Sequence, residues 1–127
     1  MATGGTYWAL PGVIATGDLS SYQYYVAIAA STASCVKIGA TKATDPILGI
    51  LQNDPTSGQA AEVAFMGVCL AKAEASVTYG DKLTVSSTGR VKTKAADADE
   101  IVGIALKASS SAGDLIPIML ARFEAAA

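Results

Sequence analysis

Residues 47–70 read Ile47-Leu48-Gly49-Ile50-Leu51-Gln52-Asn53-Asp54-Pro55-Thr56-Ser57-Gly58-Gln59-Ala60-Ala61-Glu62-Val63-Ala64-Phe65-Met66-Gly67-Val68-Cys69-Leu70. Two short apolar runs flank Asn53–Gly58, a loop made of turn formers. Large aliphatic residues come singly or in short groups, a pattern of short strands and not of long helices. On this reading Ile47–Leu51 is one strand, Glu62–Met66 returns as another, and Gly67 breaks it.

The same grammar extends in both directions. Upstream, Tyr24, Val26 and Ile28 share one parity, as do Val36 and Ile38, which reads as two half-buried strands. Downstream, Ala71–Ser76 has the composition of a helical turn too short to stand alone. Tyr79-Gly80-Asp81-Lys82 is a turn. Leu83-Thr84-Val85 and Val91-Lys92-Thr93 flank Ser86-Ser87-Thr88-Gly89 as a hairpin. Ile101–Leu106 and Leu115–Leu120 read as further strands. Pro117 has no N–H, so the last strand is expected at an edge or with a bulge.

Residues 1–22 differ. Gly4-Gly5 and Pro11-Gly12 punctuate a Gly-, Thr- and Ser-rich stretch that cannot hold a helix. It also carries Tyr7, Leu10 and Trp8, the single tryptophan. The stretch reads as an extended N-terminal arm (1–22) before a β-domain (23–121) and a short tail (122–127). Its aromatic side chains either fold back on the domain or dock on a partner.

The second half of the chain echoes the first. Val36-Lys37 matches Val91-Lys92, Ile47-Leu48-Gly49-Ile50 matches Ile101-Val102-Gly103-Ile104, and Gly58 matches Gly113, at offsets of 54 or 55. The expectation is an all-β, compact tulip- or barrel-like domain of two pseudo-repeated hairpin units, each covering the other's apolar face.

Composition excludes several functions. Nine Lys plus Arg stand against eleven Asp plus Glu, and the short basic stretches 37–42 and 90–94 offer too few cations for a phosphate footprint. No partner nucleic acid or membrane is expected. No apolar run approaches a membrane span. The start lacks the charged and apolar regions of a signal peptide, so synthesis in a reducing cytoplasm is expected. The sequence has no His, which removes the usual general base and the commonest metal ligand. Cys35 and Cys69 fit no zinc spacing. Cys69, inside Val68-Cys69-Leu70, reads as a buried free thiol, with a Cys35–Cys69 disulfide as the alternative. Asp97, Asp99 and Glu100 cluster but lack the calcium-loop pattern, and no phosphate-binding glycine loop is present. No catalytic residue, cofactor or metal site is expected.

Across residues 45–120 the order of motifs resembles the capsid decoration (cement) proteins of tailed phages, the lambda-type head decoration group. It is carried by Ile47-Leu48-Gly49-Ile50, Ala61–Val68, Val77-Thr78-Tyr79-Gly80-Asp81-Lys82-Leu83, Gly89-Arg90-Val91, Val102–Leu106 and Gly113–Leu120. The resemblance implies a structural, non-enzymatic virion protein on the outer capsid surface. Such a protein binds the major capsid protein, usually as a homotrimer at three-fold or quasi-three-fold positions, and cements neighbouring capsomers against internal genome pressure. It also implies an arm that lies on the capsid, with Tyr7, Trp8, Leu10 and Pro11 as its contacts. The alternatives are another virion β-protein, such as a head-fibre base or tail component, and a β-clip or barrel-sandwich ligand module.

Overall fold

The computed structural model describes residues 6–30, 34–38, 47–94 and 101–120. They form ten strands: β1 (Tyr7–Ala9), β2 (Ile14–Ala15), β3 (Val26–Ala29), β4 (Cys35–Ile38), β5 (Ile47–Leu51), β6 (Val63–Lys72), β7 (Lys82–Val85), β8 (Val91–Thr93), β9 (Gly103–Ala105) and β10 (Leu115–Leu120). The class is all-β. One sheet runs β2-β4-β3-β5-β6-β10-β9-β7-β8, with β1 added on β6. All pairs are antiparallel except β2 with β4. No helix among the described residues is long and apolar enough to cross a membrane.

The long central strand departs from the sequence expectation. Gly67 does not end it. β6 continues through Gly67 to Lys72, and the Ala71–Ser76 segment holds no helical turn. The reason is tertiary. Six residues of β6, Gly67 to Lys72, pair with β10 in unbroken register, and Ala73 then bridges Val91 of β8. Ladder hydrogen bonds on that scale outweigh a local preference of a few tenths of a kcal/mol per residue.

Pro117 is also placed differently. It lies on β10, between β6 and β9, with neither an edge position nor a shift in the β6 register. Its carbonyl accepts the Leu106 N–H at 2.9 Å, so its nitrogen faces the same side. That side is where β9 has already ended at Ala105, and no ladder donor is missed. Pairing of β9 is correspondingly shorter than the apolar run Ile101–Leu106.

Backbone hydrogen bonds outside the strand ladders tie loops to the sheet. Gly58 N–H donates to Ala15 C=O, and Gly113 N–H donates to Ala73 C=O. Thr16 N–H reaches Val36 C=O, and Glu74 N–H reaches Val91 C=O. Ala27 opposes both Ile38 and Gly49, while Leu83 opposes both Thr93 and Gly103. Gly49 and Gly103 each sit at a close approach of backbone. A Cβ on Gly49 would lie 1.9 Å from the Ala64 carbonyl oxygen, and one on Gly103 2.5 Å from that of Met119.

The sheet encloses two apolar clusters. The larger gathers Val26, Ile50, Leu83, Val91, Val102, Ile116 and Ile118; the smaller gathers Leu19, Ala27, Val36, Leu51 and Val63. β3 contributes to both, so it is covered on both faces and not half-buried as its alternation implies. Each large aliphatic side chain so buried is worth about 1.5–3 kcal/mol. Tyr25, buried just before β3, gathers two cations. Its ring lies 5.6 Å from the Arg90 guanidinium and 5.7 Å from the Lys72 ammonium, and its hydroxyl accepts from Arg90 Nε at 3.0 Å.

Candidate functional site

The segment carrying the four sequence-selected contacts lies along β6. Val68 N–H donates to Thr6 C=O at 2.8 Å, and Leu10 N–H donates to Val63 C=O at 2.9 Å. Tyr7 opposes Gly67 and Trp8 opposes Met66. Gly67 makes this seat possible. Its φ is +105°, and a Cβ there would fall 2.4 Å from the Thr6 carbonyl oxygen and 2.9 Å from Tyr7 Cα. Only a residue without a side chain lets the two backbones approach so closely.

The four side chains divide into two pairs. Tyr7 is half-buried against the larger core cluster, and its hydroxyl donates to the Glu62 carboxylate. Leu10 packs against the smaller cluster. Trp8 is 67% exposed, and Pro11 is exposed beside it. Tyr7 and Leu10 therefore anchor the segment, while Trp8 and Pro11 face outward.

Trp8 does not stand alone. Along β6, half-buried Val68, Leu70 and Lys72 alternate with fully buried Cys69 and Ala71; along β10, Leu115, Pro117 and Met119 alternate with buried Ile116 and Ile118. Met119 opposes Val68 and Ile104, Pro117 opposes Leu70, and Leu115 opposes Lys72. Together with Trp8 and Met66 these residues make an apolar strip with Lys72 as its one charge. Met66 is 56% exposed, Leu115 44% and Met119 41%. Met66, Leu115 and Met119 were not selected from sequence. The available signal was apolar residues at both parities of Val63–Leu70 and Leu115–Leu120, which marks a strand with no water-facing side.

The described residues contain no group of three or more His, Cys, Asp or Glu placed to hold a metal ion. The Asp97, Asp99 and Glu100 cluster lies outside the described residues. Cys69 is free, fully buried, and its thiol is pushed up to about 12 by burial, which leaves it protonated and unreactive. The disulfide alternative with Cys35 is thereby removed. Glu74 accepts hydrogen bonds from the Thr88 and Ser86 hydroxyls, which hold its carboxyl below the ordinary glutamate range. That contact ties the β7–β8 turn to the strand end and leaves no proton to transfer near neutral pH.

The sequence matches the phage cement protein family over residues 14–120. This chain belongs to that family. Membership places it with structural proteins of the phage head that bind capsids, and speaks for a structural role and not a catalytic one. No curated protein matches the sequence. Among solved structures, the N base of the head fibre gp8.5 of bacteriophage phi29 is similar, with a TM-score of 0.68 and 13% identity, covering 94% of this chain and 96% of that one. At that identity the likeness shows a shared fold. The family match begins at Ile14, so β1 and its exposed Trp8 lie outside it.

Proposed function

We propose that this chain decorates the outer surface of a mature phage capsid and cements neighbouring capsomers, with the segment of Tyr7, Trp8, Leu10 and Pro11 at the contact with the major capsid protein: Trp8 and Pro11 touch it, and Tyr7 and Leu10 seat the strand that presents them. The chain is made in the host cytoplasm and acts on the shell as a homotrimer at three-fold or quasi-three-fold positions. The observation that carries this reading is the apolar strip around Trp8 and Met66. Exposed aromatic and methionine side chains on a rigid sheet are the composition of interface centres, where a few residues supply most of the binding energy. Tyr7 and Leu10 seat the strand that carries Trp8, so its backbone loses little conformational entropy on docking.

Cementing follows from geometry. A shell under internal pressure fails by separation of its capsomers. A protein that contacts two of them adds its own contacts to those that must break. Three linked footprints turn weak single sites into a tight attachment through effective concentration.

The test is co-sedimentation with undecorated, expanded capsids. Trp8→Ala is expected to keep the fold, since the side chain is exposed, and to weaken binding by about tenfold or more, the cost of losing an interface centre. Unchanged binding by a folded Trp8→Ala protein would remove the site. The likeness to the phi29 head-fibre base favours one second reading, a base that carries a fibre on the head. Sparse binding at a few positions per capsid would select it.

A further inference from the structure

The apolar strip ends at a cation. Lys72 closes β6 and opposes Leu115 on β10. It shares a face with Met66, Val68 and Leu70, since alternate residues of a strand point the same way. At the rise of a strand it stands about 20 Å from Met66, which Trp8 opposes. Beside it opens a cleft of about 320 Å³, lined by Lys72, Gly113 and Leu115 and by residues of the turn before β3, Tyr24 among them. Tyr24 has φ +74°, uncommon for a residue with a side chain. Two bonds pin it there: its N–H donates to Leu51 C=O at 2.6 Å, and its C=O accepts from Lys72 N–H at 3.0 Å. Backbone held in this way gathers at ligand clamps.

Two cations meet the Tyr25 ring, and their surroundings differ. Arg90 donates to the Tyr25 hydroxyl and lies near enough to the Glu74 carboxylate to help hold it ionised. The Lys72 ammonium lies 5.7 Å from the centroid of the same ring. Among the described residues no carboxylate forms an ion pair with it. In the isolated chain water serves this half-buried ammonium. A partner that covers the strip displaces that water. A cation covered in this way must meet an anion, or the loss of its hydration outweighs what the apolar contact gains.

We infer that Lys72 and the cleft beside it receive an aspartate or glutamate side chain of the major capsid protein, at the far end of the contact that Trp8 begins. The inference rests on the capsid-binding reading above and adds a chemical requirement to it: the capsid surface carries an acidic residue about 20 Å from the place that receives Trp8. The occupant is the capsid protein and not a second copy of this chain, because Lys72, Leu115 and Met119 continue the face of Trp8 and Met66 without a break. A footprint of ordinary size, about 800 Å² per partner, reaches both ends. The apolar residues supply affinity, and the ion pair fixes the register of the strip on the shell.

Lys72→Met tests it, since it keeps the length of the side chain and removes the charge. The variant is expected to unfold close to the wild-type temperature and to keep the wild-type oligomeric state. It is expected to bind expanded capsids at least about tenfold more weakly, because the capsid carboxylate is then covered without a partner. The sign of the change decides. Over an apolar capsid surface the methionine would bind as well as lysine or better, with no ammonium to strip of water. Equal or tighter binding by Lys72→Met therefore overturns the proposal while leaving the capsid-binding reading in place. A changed oligomeric state of the variant without capsids, measured by sedimentation, would put the carboxylate on a second copy of this chain and also overturns it. Failure of the wild type to bind any capsid would instead sink the capsid-binding reading itself, and this proposal with it.

Discussion

Replacing Gly67 by Ala asks how much the seat of β1 is worth. Two costs add. At φ +105° a residue with a Cβ is strained by about 1–3 kcal/mol. The new Cβ would also lie 2.4 Å from the Thr6 carbonyl oxygen, about 1 Å inside ordinary contact, and the obstacle is backbone that cannot rotate away. β1 must therefore lift. Lifting weakens the Val68–Thr6 and Leu10–Val63 hydrogen bonds, each worth about 1 kcal/mol net. The sum is about 3–5 kcal/mol. With an unfolding entropy of about 2.1 cal/mol/K per residue over 127 residues, this lowers the melting temperature by about 10–20 °C. Gly12→Ala supplies the control, because Gly12 has φ +74° but open space around a Cβ. It carries the backbone cost alone, about 1–2 kcal/mol, or about 4–7 °C. Thermal unfolding of both variants, followed by circular dichroism, gives the comparison. Equal losses for the two would refute the argument that Gly67 is shaped to receive β1.

Other perturbations probe the rest of the account. Gly103→Ala puts a Cβ 2.5 Å from the Met119 carbonyl oxygen and should cost at least about 2 kcal/mol in urea unfolding, since β9 must separate from β10. Arg90→Ala removes both the Tyr25 hydroxyl contact and the cation over its ring, for a loss of about 1–2 kcal/mol that Arg90→Lys should only partly restore. Cys69, with its thiol raised to about 12 against an unfolded value near 9, keeps its full contribution below about pH 9 and loses it between there and about pH 12. Over that window stability should fall by about 1.4 kcal/mol per pH unit, and Cys69→Ala should flatten the slope. The Glu74 carboxyl, lowered by the Thr88 and Ser86 hydroxyls, should titrate below the ordinary glutamate range by NMR, and Thr88→Val should raise its midpoint.

The hairpin β7–β8 and the apolar runs of β5, β6 and β10 were legible in the sequence, because each is local: an alternating or apolar run bounded by Gly, Pro, Asn or Asp. What was not legible depends on partners distant in sequence. Gly67 looks like a strand breaker until β1 and β10 are present on either side of it. Ala71 and Ala73 look helical until their fully buried positions on the sheet are known. Pro117 looks out of place until β9 is seen to end before it. Tyr7, Trp8, Leu10 and Pro11 could be chosen as costly side chains in a flexible stretch. Their division into two anchors and two outward residues needed the strand register. Met66, Leu115 and Met119 join Trp8 only across strands, and no spacing within one segment brings them together.

The most direct test of the capsid-binding reading is a count. The purified protein is mixed with undecorated, expanded capsids, the capsids are pelleted, and bound copies are measured against the major capsid protein. The account predicts saturation at a fixed ratio near one copy per capsid subunit, as three-fold positions filled by trimers require. Absence from the pellet at saturating concentration would contradict it.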